Sequence, residues 1–264
     1  MDFSKKIIIG MIHVPALPGS PFHQLPMEKI LETCLKEAKI YRECGVDAVA
    51  IENMHDIPYL NKRISPETIS CMSVIAWEVK KEFSGPVGIQ ILAAANKEAL
   101  AVALAARLDF IRAEGFVFGH VADEGYIESC AGELLRYKKN IGNPPVLIFT
   151  DIKKKHSSHS ITADLDIVET AKAAEFFATD GVIITGLHTG DAPDPEIIQK
   201  VKKSVNVPVL LGSGVNSENF SAFFPYADGF IVGSSFKKDG FWKNELCYDR
   251  VKRFMAVVVA NRIV

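Results

Sequence analysis

Eight short apolar runs recur along this chain, and longer segments with helical spacing lie between them. The runs are "KIIIGMIH" (6–13), "DAVAIEN" (47–53), "PVGIQIL" (86–92), "DFIRAE" (109–114), "PVLIFTDI" (145–152), "GVIITG" (181–186), "VPVLLG" (207–212) and "DGFIVGS" (228–234). Most are apolar almost throughout, the pattern of parallel strands covered on both faces. Residues 27–44 place Ile30, Leu31, Cys34, Leu35, Ala38 and Tyr41 three and four apart, as an amphipathic helix requires. Ser65 before Pro66 and Asp194 before Pro195 mark two further helix starts, Asn96 opens another, and Gly181 reads as a helix stop after "ADLDIVETAKAAEFFATD".

Such an alternation in 264 residues fits a single α/β domain, a (β/α)8 TIM barrel spanning 1–264, since that fold needs about 250 residues. An open doubly wound sheet is the competitor. It is disfavoured because "GMIHVPALPGSP", not a G-x-G-x-x-G turn, follows the first strand. Asp47, Asp109, Asp180 and Asp228 each precede an apolar strand, and this repetition marks them as structural acids at the strand entries.

A net charge of −2 provides no basic field, so nucleic acid is not expected as a partner. The apolar runs are too short for a secretory core or a bilayer span, which predicts a soluble cytoplasmic protein without integral membrane association. Five scattered cysteines without CxxC spacing read as reduced thiols. Aromatics in "FFPYADGF" and "FWKNELCYDRVKRF" suit either core packing or a homo-oligomer interface.

In a barrel the chemistry sits where strands end and βα loops begin. That rule selects His13 after strand one, Glu52, Asn53, His55 and Asp56 after strand two, and Gln90 after strand three. Strand four adds Arg112 and Glu114, with Asp123 in the loop beyond; strand five adds Asp151, Lys155 and His156. Strand six leads to Thr185, Gly186, Thr189 and Gly190. Strand seven ends in Gly212, Ser213 and Gly214, and strand eight in Gly233 and Ser234.

Two small-residue loops at these last strands predict a phosphate site, where backbone N–H groups approach the anion and serine hydroxyls donate to it. Glu52, Asp151 and His156 are the candidate proton carriers, and Lys155 a candidate Schiff-base former or anion grip. The neighbouring Lys153 and Lys154 read as a solvated charge run. Glu52, Asp56, Asp123 and Asp151 offer oxygen ligands for Mg²⁺, whereas no spacing supports zinc and no motif implies an organic cofactor.

The same order of motifs resembles the BtpA (BtpA/SgcQ) family. The resemblance rests on "GMIHVPALPGSP" (10–21), "CGVDAVAIEN" (44–53), "DFIRAEGFVFGHVADEGYIESCAGELLRYK" (109–138), "TDIKKKHS" (150–157), "DGVIITGLHTGDAP" (180–193), "VPVLLGSGVNSENF" (207–220) and "ADGFIVGSSFKKDGFWKNELCYDRVKRFM" (227–255). It implies a ribulose-phosphate-binding-like TIM barrel. It also implies a ligand face containing His13, Glu52, Asn53, Arg112, Asp123, Asp151, Lys155, His156, Gly186, Thr189, Gly190, Gly212, Ser213, Gly214, Gly233 and Ser234. The site residues lead us to expect an isomerase, lyase or hydrolase of a phosphorylated metabolite such as a sugar phosphate or nucleotide; the family, which takes its name from a factor for photosystem I biogenesis, implies the alternative of a non-catalytic ligand-binding or assembly factor.

Overall fold

Strands that are apolar on both faces need a covering layer on each side, and a closed barrel ringed by helices supplies both. The computed structural model describes residues 1–186 and 193–263. Its barrel strands are β1 (Ile7–His13), β2 (Ala48–Glu52), β3 (Val87–Gln90), β4 (Phe110–Ala113), β5 (Leu147–Ile152), β6 (Gly181–Ile184), β7 (Val209–Leu211) and β8 (Gly229–Val232). All pair in parallel with their sequence neighbours, and β8 closes on β1 with Ile231 opposite Ile9. Closure rules out the open sheet.

The helices that follow are α1 (Met27–Glu43), α2 (Pro66–Glu82), α3 (Asn96–Ala105), α4 (Ala131–Asn140), α5 (Ile167–Phe176), α6 (Pro195–Lys202), α7 (Phe220–Phe223) and α8 (Tyr248–Ile263). Their starts follow the capping chemistry. The Ser65 hydroxyl accepts from the Thr68 N–H, and Asp194 accepts from the Glu196 N–H, each ahead of a proline whose missing N–H costs nothing there. Asp166 and Glu169 form a reciprocal capping box at α5. Gly181 does not stop α5, which ends at Phe176; it opens β6 instead. A Cβ on Gly181 would come within 2.8 Å of the Phe149 ring, so the small residue makes room inside the barrel.

Alternation along each strand divides the core in two. Ile8, Ile12, Val49, Ile51, Ile148 and Leu211 face the helices. Ile7, Ile9, Met11, Phe110, Phe149 and Leu210 belong to a separate cluster that fills the barrel, with the two phenylalanine rings 5.5 Å apart. Truncating either ring to Ala should cost about 3–5 kcal/mol.

At the entry end, the acids that precede the even-numbered strands bind the backbone of the strand before. Asp47 accepts from the Ile8 N–H at 2.7 Å and Asp109 from Val87 at 2.8 Å. Asp180 accepts from Ile148 at 2.8 Å and Asp228 from Val209 at 2.9 Å. Arg262, Lys80 and Lys202 neutralise Asp47, Asp109 and Asp228 respectively.

Above the other end lies a small antiparallel sheet of His120–Ala122, Gly125–Ile127 and Ser157–Ser158, which the apolar pattern does not announce. Among the described residues no helix is long and apolar enough to cross a membrane.

Candidate active site

Moving two residues beyond the last apolar position on each strand's inner face gives the next inward-facing residue. Met11 leads to His13, Ala50 to Glu52, Gly88 to Gln90, Phe110 to Arg112, Phe149 to Asp151, Ile183 to Thr185, Leu210 to Gly212 and Ile231 to Gly233. All eight line one cavity of about 480 Å³ at the carboxyl ends of the strands. The barrel's apolar filling therefore gives way to a polar floor within one alternation.

That floor holds charge in water-poor surroundings. Arg112 grips Asp151 through two parallel bonds, Nε to Oδ2 and Nη2 to Oδ1, each 2.9 Å long. The bidentate fork fixes both side chains. Glu52 is 7% exposed, and burial pushes its carboxyl above the usual range, with Arg112 and Lys155 acting in opposition. His13 Nε2 stands 3.7 Å from Glu52 Oε2, and His13 Nδ1 lies 3.3 Å from the Trp242 carbonyl. A carbonyl only accepts, so Nδ1 carries the hydrogen and Nε2 presents its lone pair towards Glu52. Burial, aided by Lys237, drives the His13 pKa down to about 3, which keeps the ring neutral. An acid that resists ionisation thus faces an imidazole that resists protonation. Beside them, the buried Gln90 Oε1 has no hydrogen-bond partner among the described residues.

Lys155 also lines the cavity, and its backbone N–H donates to Thr185 Oγ1 at 3.2 Å. Burial, then the Arg112 guanidinium, lowers its ammonium pKa. His156 follows with φ +54° and stands exposed at the rim. Lys154 departs from the sequence reading. It is buried between Glu114 at 3.0 Å and Glu124 at 3.9 Å, while Lys153 donates to the Thr162 carbonyl. Glu114 spends its other oxygen on the Ala94 N–H.

The loops after β7 and β8 complete the cavity wall. Gly212, Ser213, Gly214, Gly233, Ser234 and Ser235 all line it. The glycines have a second reason to be there. A Cβ on Gly212 would sit 3.3 Å from Arg112 Nη2 and 2.6 Å from the Ile183 side chain, and one on Gly233 would sit 3.1 Å from His13 Nε2. Both leave room for floor residues as well as for a ligand. Gly214 has φ +71°, which glycine alone adopts without strain. Ser213 Oγ accepts from the Gly186 N–H at 2.8 Å, tying the sixth loop to the seventh.

Several expected residues lie elsewhere. Asn53 is absent from the cavity wall; its amide donates to Asp56 and accepts from the Leu92 N–H, bracing the loop behind β2. Asp56 also accepts from the Leu17 N–H at 2.8 Å. Asp123 does line the cavity, from the exposed accessory hairpin, but with Asp56 so engaged and Asp151 on Arg112 the four acids considered for Mg²⁺ form no ligand set. Among the described residues no group of three or more His, Cys, Asp or Glu could hold a metal ion. Gly186 is tied to the site by its N–H bond to Ser213, and Thr189 and Gly190 lie outside the described residues.

Among the wall residues that escaped the sequence reading are Arg250 and Trp242. Arg250, in the first turn of α8, reaches the cavity while its Nε donates to the Ser235 carbonyl at 2.7 Å, placing a guanidinium beside the β8 loop. Trp242 comes from the loop between β8 and α8 and separates the site from a second cavity of about 470 Å³, which shares Trp242 and His13 as walls. No periodicity flags either residue; only their place after the eighth strand could have done so.

Residues 4–260 match the model of the BtpA family. An uncharacterised mitochondrial protein of Caenorhabditis elegans is 52% identical over 260 residues, covering 97% of this chain and 94% of the relative. The photosystem I biogenesis protein BtpA of Synechocystis is 32% identical over 234 residues, covering 88% and 81%. Among solved structures, (S)-3-O-geranylgeranylglyceryl phosphate synthase from Thermoplasma acidophilum, in complex with sn-glycerol-1-phosphate, superposes with a TM-score of 0.59. It shares 14% sequence identity, over 96% of this chain and 93% of that one, a likeness of fold alone.

Proposed function

The chain belongs to the BtpA family, and from that premise we propose that it is an enzyme acting on a phosphorylated small metabolite held at the carboxyl face of its barrel. One observation carries the reading: the loops after β7 and β8, with Arg250 beside them, share a single cavity with buried Glu52, Arg112 and Asp151 and half-buried Lys155. Backbone N–H groups, Ser213, Ser234 and Arg250 form the phosphate end. At the reacting end Glu52 gives and takes a proton, with neutral His13 beside it. Asp151 holds the Arg112 guanidinium towards developing negative charge, and His156 stands at the rim. Isomerisation, bond cleavage or hydrolysis would each use such a set. The bound phosphate of the T. acidophilum synthase, a barrel of similar fold, supports the assignment.

The experiment is a double substitution, Ser213→Asp with Ser234→Asp, followed by calorimetric titration with phosphorylated metabolites. Two carboxylates at the phosphate end should weaken binding more than tenfold by charge repulsion. Unchanged affinity would refute the phosphate site. The name of the Synechocystis relative favours a second reading, an assembly factor that binds a ligand without turning it over. Glu52→Gln separates the two. An enzyme loses turnover of the phosphorylated metabolite it converts, whereas a binder has no turnover to lose.

A further inference from the structure

We infer that Lys155 forms a covalent imine with the carbonyl carbon of a phosphorylated ketone or aldehyde, Glu52 being the acid that removes the water. This deepens the reading of the site as that of a phosphorylated-metabolite enzyme and rests on it.

The inference starts from how charge is distributed around the cavity. Asp151 is taken through both oxygens by Arg112. Glu114 is taken by Lys154 and the Ala94 N–H, and Glu124 faces Lys154. Among the described residues, no carboxylate comes within 4 Å of the Lys155 ammonium, although it stands in a wall rich in acids. An ammonium kept for ion pairing would have a carboxylate partner. Arg112, a permanent cation, lies close enough to repel it, and burial acts in the same direction. Both outweigh the opposing pull of Glu52, Asp151 and Glu114 and shift Lys155 towards the neutral amine, the only form with a lone pair to attack carbon. Glu52 is the complementary group, a carboxyl that burial pushes towards its protonated form, facing the same space and close enough to Lys155 to feel its charge. Amine and acid are the two reagents that imine formation requires.

The step balances as follows. The Lys155 Nζ lone pair forms a bond to the carbonyl carbon, and the C=O π pair moves to oxygen, which takes the Glu52 proton. Nζ releases a proton back to the Glu52 carboxylate, and Glu52 then protonates the carbinolamine hydroxyl, which leaves as water. The nitrogen pair closes the C=N⁺ bond. Ketone, amine and one proton have become iminium and water, with no change of oxidation state. The phosphate loops line the same cavity as Lys155, so a substrate carrying phosphate on a carbon near its carbonyl would reach both.

Reductive trapping tests this. The protein is incubated at neutral pH with dihydroxyacetone phosphate, or with unphosphorylated dihydroxyacetone, plus sodium cyanoborohydride, and adducts are mapped by peptide mass spectrometry. Calorimetry measures binding of the phosphate ester and of inorganic phosphate in parallel. The expected result is an adduct of the ketone's mass less one oxygen at Lys155, formed ahead of the exposed lysines and at least tenfold more readily with the phosphate ester. Excess inorganic phosphate should suppress it. Lys155→Arg should bind phosphate within a few-fold of the parent and give no adduct at 155, and Glu52→Gln should slow trapping at least tenfold. Labelling of Lys155 against pH should have its midpoint below that of the exposed lysines in the same sample. No preference for Lys155 with either ketone overturns the imine, and if phosphate still binds, the phosphate site stands without it. Equal labelling by both ketones, with no phosphate binding, overturns the phosphate site and leaves the imine standing. A more than tenfold loss of phosphate affinity in Lys155→Arg, with no adduct in the parent, would make Lys155 an anion grip and also overturn the imine.

Discussion

The two ends of this barrel use the same kinds of acid for opposite purposes. At the entry end Asp47, Asp109, Asp180 and Asp228 each accept a neighbouring strand's N–H, and basic side chains sit on three of them. At the carboxyl end Asp151 is locked to a buried arginine, Glu52 is pushed towards its neutral form, and Lys155 has no carboxylate within 4 Å among the described residues. Partly solvated acids that satisfy the backbone hold a structure together. Buried ones whose ionisation is disturbed cost stability and gain reactivity. Position on the strand, before its first residue or after its last, decides which kind an acid becomes.

The largest expected effect comes from breaking the charged floor. Asp151→Asn leaves the Arg112 guanidinium buried without its counter-charge and should cost about 3–5 kcal/mol in urea denaturation, with loss of turnover. Next comes acid sensitivity. His13 binds its proton only near pH 3 in the folded chain but at 6.5 when unfolded. Between those values the unfolded state holds more protons, so stability is lost as pH falls below 6.5. His13→Gln should flatten that slope by up to about 1.4 kcal/mol per pH unit, read from melts between pH 7 and 4. His55 and His120, each lowered to about 4, would contribute the remaining slope.

Glu52 works the other way. Its folded pKa lies above the ordinary 4.5, so the native state holds the extra proton and stability falls as pH rises through that window. Glu52→Gln should therefore melt higher than the parent at neutral pH, by a few degrees, match it near pH 4, and be inactive. The smallest effect belongs to the entry end. Asp180→Asn keeps an oxygen for the Ile148 N–H and should cost less than about 1 kcal/mol. Should Asp180→Asn and Asp151→Asn prove equally damaging, the contrast between the ends collapses.

Much of this was legible in the sequence, for identifiable reasons. Each of the eight apolar runs contains its barrel strand, because burial on both faces leaves a composition that loops do not have. The entry-end acids announced themselves by repetition. What the chain does after leaving a strand was less readable. Asn53 and Asp56 stand at a strand end like Glu52, yet the loop turns them onto Leu92 and Leu17. Lys154 looks like part of a solvated run until Glu114 and Glu124 close around it. Gly181 resembles a helix stop because the sequence does not show the Phe149 ring it must admit. The three strands of the accessory sheet are two or three residues long, below what any period can mark. Arg250 and Trp242 reach the cavity from beyond β8, where contact depends on closure of the ring.

Trp242 has one more consequence. Its indole is part of the partition between two chambers of nearly equal size, and it stands 5.1 Å, centre to centre, from the His55 ring on the far side. The boundary of the site on this side is therefore set in part by a side chain. A relative with a smaller residue at this position would have a site of roughly twice the capacity on an unchanged scaffold. Selection for larger substrates could take that route without touching a strand.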